Sequence, residues 1–308
     1  MKPASPENKT TALISILIVV LIWGSAFAVT KIAVTEAPPF IAAFLRNLVA
    51  SLVLLPFYLV RRSRKEDQGP LPIPWKKMVL MGLTGITFFY ALFNLSLTYT
   101  AAATGALIQG LMPVAIALPA AFFLKEKLDG RMILGIIISV MGVVLIGFIG
   151  KNDESGKGLL GNILMILSVL SWAGYTIISK SVHQYDPVLI TAFSTFIGTA
   201  FLLPAVVIEG WGHDLPVISL KGWLAIVYLG VFSSAIAYLL YNKALKTLSA
   251  AQAGNFLNLD PVIGAGIAVI FLKDTFTTWQ IAGAVLVLVG LWLSSKTPDS
   301  AKGSGSTS

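Results

Sequence analysis

Two ionisable residues, Arg46 and Asp260, fall inside long apolar stretches where a charge is costly unless it is paired or lines a cavity. A guanidinium in that setting could hold the carboxylate of a small molecule or meet a structural partner. A carboxyl there could exchange a proton, pair with a substrate ammonium, or satisfy backbone groups freed by the adjacent Pro261. Aromatic and amide side chains recur around them at helical spacing. Tyr90 and Asn94 stand four residues apart, and Tyr238 and Asn242 repeat that spacing behind Ser234. Ser168, Trp172, Tyr175 and Ser179 share one face, as do Thr191, Ser194, Thr195 and Gly198, while Gln252 and Asn255 precede Asn258 and Asp260. Such stripes serve either as hydrogen-bonding seams between helices or as the wall of a wet cavity. Packing is the better reading for the serines and threonines. Trp23 and Trp172 each lie about a dozen residues into their stretch, too deep for an interfacial aromatic belt; a central cavity or a core both remain open for them.

Other chemistries find no footing. Cysteine is absent, the two histidines (His183 and His213) fall in predicted loops, and no HExxH, GxSxG or P-loop occurs. Gly156–Gly161 matches GxGxxG, but it follows a polar loop and opens an apolar helix, without the strand that a dinucleotide site requires. Asn94-Leu95-Ser96 reads as a glycosylation acceptor buried within a span. No metal, no cofactor and no catalytic residue is expected.

The elements that position these side chains follow from composition. Of 308 residues, 56% are hydrophobic and 12% charged, with mean hydropathy +0.84; a soluble domain carries roughly 25% charged residues. The lipid bilayer is therefore the expected partner, with roughly 20 apolar residues per crossing helix. Ten stretches qualify: about 11–30, 40–60, 77–97, 101–124, 131–149, 159–179, 188–208, 222–241, 250–272 and 278–295. They lack the alternation of a membrane barrel. The expected fold class is an all-α integral membrane protein.

The first half recurs in the second at an offset of 148 to 149. Trp23 and Lys31 return as Trp172 and Lys180, Tyr90 and Asn94 as Tyr238 and Asn242, Pro113 as Pro261, and Gly135 and Gly142 as Gly283 and Gly290. Five helices per copy is an odd number, so the second copy enters the membrane upside down. This predicts two inverted-topology repeats, at 1–150 and 151–296, followed by a disordered tail at 297–308. The match fails at Arg46, whose mate is Thr195, and at Asp260, whose mate is Met112. Pro113 and Pro261 interrupt matched helices, as hinges of substrate-lining helices or as packing kinks. The glycines, seven apart, suit close helix packing.

Of 22 Lys and Arg, 16 fall in segments expected inside, five outside, and Arg46 within a span. Both termini are thus expected on the cytoplasmic side of the cell membrane, anchored by the run Arg61 to Lys65 in a Pro-rich linker reaching Trp75. The +8 net charge is spread over membrane edges rather than gathered on one face, which argues against nucleic-acid binding. Lys2, Lys9 and the following apolar run imitate a signal peptide, but the run is long and Trp23 belongs to the repeat, so the segment is expected to be retained.

Taken together, Leu21 to Phe27 (LIWGSAF), Ala43-Phe44-Leu45-Arg46, Met112-Pro113-Val114 and Leu124 to Leu128 (LKEKL), repeated as Asp260-Pro261-Val262 and Leu272-Lys273-Asp274, resemble the EamA-type branch of the drug/metabolite transporter superfamily. The resemblance covers about residues 12–295. It implies ten helices in two inverted repeats and export of small metabolites or amino acids by alternating access. It also maps the family's acidic residue after the fourth helix onto Glu126. Asp274 stands where glutamate is more usual, and both are expected to act at helix ends.

The expected activity is secondary export of a small-molecule substrate, most simply an amino acid or related amphipathic compound. Trp23, Tyr90, Trp172, Tyr175 and Tyr238 are expected to wall the cavity. Asn94, Asn242, Gln252 and Asn255 would fix polar groups, Arg46 a carboxylate, and Asp260 would serve coupling. A passive facilitator and a lipid-modifying membrane enzyme are the alternatives; the latter would need a cluster of acid, base or metal-binding groups at one interface, and the sequence has none.

Overall fold

The computed structural model describes residues 9–63, 74–124, 130–146, 157–211, 217–257, 259–274 and 276–295, and they contain no strand. Several expectations fall outside them: the tail at 297–308, Arg64 and Lys65 of the linker, Glu126, Asn258, His213 and the side chain of Asn255.

The helices are α1 (Lys9–Glu36), α2 (Pro39–Ser63), α3 (Trp75–Gly82), α4 (Phe89–Tyr99), α5 (Ala102–Gln109), α6 (Met112–Phe123) and α7 (Gly130–Val144). The second half supplies α8 (Lys157–Lys180), α9 (Pro187–Gly210), α10 (Leu220–Tyr228), α11 (Ala237–Ala244), α12 (Ala250–Phe256), α13 (Leu259–Ile267) and α14 (Thr278–Ser295). Several join end to end, so that eight rods among the described residues are long and apolar enough to cross a membrane. Two shorter apolar helices span Ile133–Val144 and Thr278–Gly290. The chain is a multi-pass membrane protein. Its outer surface carries apolar side chains such as Leu21, Leu52, Phe122 and Ile208, while Arg46, Asn94, Asn242 and Asp260 are buried. Polar groups inside and hydrocarbon outside is the arrangement a bilayer selects.

Interruptions recur at matched places. Leu83–Phe88 joins α3 to α4 and Leu229–Ile236 joins α10 to α11, both as π-helix, a widened turn frequent at functional sites. The interruptions expected at Pro113 and Pro261 are breaks a few residues earlier. The α5 helix stops at Gln109, and Pro113 lies in the first turn of α6; α12 stops at Phe256, and Pro261 lies early in α13. A proline has no N–H to donate and its fixed φ suits a first turn, so it starts a helix more readily than it bends one.

Repeat mates touch each other. Ser51 Oγ lies 3.3 Å from Thr199 Oγ1, and Ser139 Oγ reaches the Val287 carbonyl at 3.5 Å, each across 148 positions. The rings of Tyr90 and Tyr238 are 6.2 Å apart, and those of Trp23 and Trp172 are 4.9 Å apart. Mates α7 and α14 pack antiparallel, with Gly142 against Gly283 and Gly290 against Gly135. A Cβ on Gly142 would sit 2.6 Å from the Gly283 carbonyl oxygen, so only glycine allows this approach.

Two lysines cap matched helix ends. Lys31 Nζ donates to the carbonyls of Leu97 (2.6 Å) and Thr100 (2.9 Å), and Lys180 Nζ donates to those of Leu245 (2.8 Å) and Leu248 (2.7 Å). A cation on the free carbonyls of a helix C-terminus satisfies both hydrogen bonding and the helix dipole. Thr100 in turn donates to Asn162 near the start of α8, whereas Lys180 ends α8. The two caps therefore lie at opposite ends of that helix, about 27 Å apart at 1.5 Å per residue.

Candidate functional site

A small cavity of about 30 Å³ lies where these elements meet, well under the roughly 300–1,000 Å³ typical of small-molecule sites, so a substrate enters only as its walls move apart. Six of the residues singled out from sequence line it: Trp23, Arg46, Tyr90, Trp172, Tyr238 and Asp260. Its aromatic wall is continuous. Trp23 meets Trp172 edge to face, and Trp172 meets Tyr238 the same way at 5.1 Å. The Trp23 indole N–H donates to the Ser233 carbonyl at 3.0 Å, which fixes its ring against the π-helical turn.

Arg46 is 1% exposed and is held by neutral groups. Its Nε donates to Ser234 Oγ (3.1 Å), one terminal nitrogen to Thr30 Oγ1 (3.3 Å) and the other to Ser233 Oγ (3.0 Å). The widened turn at Leu229–Ile236 lets two consecutive serines reach the same guanidinium. The guanidinium carbon also lies 4.2 Å from the Tyr90 ring centre, a cation–π contact. Ser234 passes its own hydrogen on to the Tyr90 hydroxyl at 3.1 Å. Arg46 makes no ion pair among the described residues. Asp260, 6% exposed, lies early in α13, and its Oδ1 receives no hydrogen bond.

The other sequence candidates lie elsewhere. Tyr175 stands one layer behind, against Trp172 at 4.8 Å. Asn242 donates to Tyr175 Oη (2.6 Å) and Thr191 Oγ1 (2.7 Å) and accepts from Ser179 Oγ (2.5 Å), so it ties α8, α9 and α11 together outside the cavity. Asn94 donates to the Pro39 carbonyl at 3.1 Å, beside the junction of α1 and α2. Gln252 is exposed, and its side chain accepts from the Ser249 N–H at 3.0 Å while its own N–H donates to Ser249 Oγ. That is a capping box at the start of α12, so the structure removes Gln252 from the substrate wall. Its spacing to Asn255 placed it on a helix face but not its depth, since the helix begins only two residues before it.

Sequence reasoning missed Phe27, Phe89, Phe93, Gln109, Met112, Ser233 and Leu257, all of which line the cavity. A usable signal existed for some. Met112 is the mate of Asp260 and Gln109 the mate of Leu257, so both members of two unequal pairs face one space. The phenylalanines carried no signal that distinguished them from other core residues. Asp274, expected at a helix end, accepts from the Ala103 N–H at 3.0 Å in the first turn of α5. Lys273, in the left-handed region at φ 58°, makes the turn that brings it there.

Comparison with known proteins agrees with this architecture. A solved crystal structure superposes with a TM-score of 0.70 at 19% identity, covering 93% of this chain and 96% of that one. An uncharacterized transporter of Archaeoglobus fulgidus is 29% identical over 93% of this chain and 97% of its own length. A probable amino-acid metabolite efflux pump of Salmonella typhimurium is 25% identical over 90% of this chain and 92% of its own. The sequence pattern of the EamA-like transporter family matches residues 10–148 and again 159–296. Matched twice, over nearly its whole length, the chain belongs to the EamA-like transporter family.

Proposed function

We propose that the protein, a membrane transporter rather than an enzyme, exports amino acids or related amphipathic metabolites across the cell membrane by alternating access, with both termini cytoplasmic. Ten spans would form two inverted five-helix repeats, the two shorter apolar helices α7 and α14 crossing as a close-packed antiparallel pair. The antiparallel packing of these repeat mates carries the reading. Mates related by an axis along the membrane normal would run parallel, whereas an axis in the membrane plane makes them antiparallel. Contacts between mates at Ser51/Thr199 and Tyr90/Tyr238 support a pseudo-two-fold axis through the cavity.

The lysine caps then belong to opposite faces. Opening at one face releases the cap there while the other holds, and the breaks before Pro113 and Pro261 serve as hinges beside the cavity. The efflux name of the Salmonella typhimurium relative supports amino acids as cargo.

Counterflow in proteoliposomes tests this. Vesicles loaded with unlabelled amino acids should accumulate labelled amino acid transiently, and sugars and organic cations should compete weakly. Exchange confined to organic cations or sugars would overturn the substrate class. A substrate that only equilibrates, unresponsive to imposed ion gradients, would point to a facilitator.

A further inference from the structure

The cavity holds one buried cation and one buried carboxyl that do not satisfy each other. Among the described residues, Arg46 commits three of its five N–H donors to hydroxyls and meets no carboxylate within 4.0 Å, while Asp260 Oδ1 has no donor. Either group alone is expensive in a low-dielectric interior. A structural ion pair would have brought them together; instead the two line one cavity without pairing. A ligand carrying an anion and a cation a few bonds apart supplies each with what it lacks and adds no net charge. A ligand with only one charged group leaves the other pole uncompensated. The remaining wall, with the rings of Trp23, Phe27 and Trp172, suits an apolar or aromatic remainder.

We infer that the cavity selects zwitterions: an α-amino acid with an apolar or aromatic side chain binds with its carboxylate on Arg46 and its ammonium on Asp260. This rests on the amino-acid transport reading and narrows it, since uncharged, purely cationic and purely anionic metabolites are excluded. Arg46 and Asp260 are then specificity determinants. They occupy the two positions where the internal repeat breaks, Thr195 and Met112 being their mates. A symmetric pair of charges of one sign could not make a dipolar site.

Isothermal titration of the full-length protein in detergent, with L-phenylalanine, phenethylamine and 3-phenylpropionate, tests the assignment. The native protein should bind phenylalanine about tenfold or more tighter than either single-charge analogue, as the loss of one charge-assisted contact requires. Arg46→Gln should erase the preference over phenethylamine and keep that over 3-phenylpropionate; Asp260→Asn should do the reverse. Arg46→Lys, which keeps the charge, should retain part of the preference over the amine. Equal binding of phenylalanine and either analogue by the native protein would overturn the inference without recourse to any variant. So would variants that weaken all three ligands alike, the signature of a purely structural role. Amino-acid counterflow without discrimination among the three ligands sinks only the zwitterion inference. Absence of any amino-acid counterflow sinks the transport reading and this inference with it.

Discussion

Replacing Asn242 with leucine separates a supporting residue from a binding one. Asn242 makes three buried side-chain hydrogen bonds, to Tyr175, Thr191 and Ser179, and lies outside the cavity wall. Leucine keeps the branching and heavy-atom count of asparagine with somewhat greater bulk, so the change removes the bonds without opening a void. Within membranes a side-chain hydrogen bond contributes about 0.6 kcal/mol on average and up to about 1.7. Three of them put the expected loss at about 2–5 kcal/mol, since three hydroxyls lose a partner together. Unfolding in mixed detergent–SDS micelles, monitored by tryptophan fluorescence, should show that loss. Substrate affinity of the folded fraction should stay within about threefold of native, because no cavity contact is removed. Stability within about 0.5 kcal/mol of native would refute the network argument, as would unchanged stability with collapsed binding.

Other substitutions probe separate parts of the architecture. Gly142→Leu places a side chain within 2.6 Å of the Gly283 carbonyl oxygen and should lower the unfolding temperature sharply. Gly130→Ala, with nothing within 4 Å, should leave it unchanged in the same fluorescence-detected size-exclusion assay. Asp260→Asn should abolish any response of transport to an imposed proton gradient while the protein still folds; a gradient response equal to native would remove Asp260 from coupling. Lys31→Met and Lys180→Met each strand two helix-end carbonyls. They should bias the protein toward opening at opposite faces, seen as opposite changes in the reactivity of a cavity cysteine to an impermeant maleimide added from each side.

Much of the fold was legible in the sequence because hydrocarbon imposes a length and a composition on every crossing helix. The expected 11–30 and 188–208 fall within α1 and α9, and the glycines spaced by seven sit where α7 meets α14. The helix breaks were displaced. Matched interruptions at the prolines were legible but not their place: lacking an N–H, proline starts a helix, so the breaks precede Pro113 and Pro261. Cavity residues with rare chemistry for their surroundings, such as Arg46 and Trp172, were findable because burial of such groups needs a reason. Amides were less legible: Asn242 and Gln252 bond hydroxyl or backbone groups, Asn94 donates to a distant carbonyl while its buried Oδ1 has no partner among the described residues, and spacing alone does not separate such uses from substrate binding. The second-layer place of Tyr175 depends on Gly85, where a Cβ would meet the Tyr175 ring, a contact between segments distant in sequence that no periodicity reveals.

The central claim, alternation between two oppositely facing openings, is most directly tested by paired distance measurements. The chain has no cysteine, so spin labels can be placed cleanly at Thr35 and Thr98 beside the Lys31 cap, and at Gln184 and Lys246, their repeat mates, beside the Lys180 cap. Double electron–electron resonance in lipid nanodiscs, with and without L-phenylalanine, should give a short and a long population for each pair. Any condition that lengthens one pair should shorten the other. Two pairs that stay fixed, or that lengthen together, would contradict alternating access.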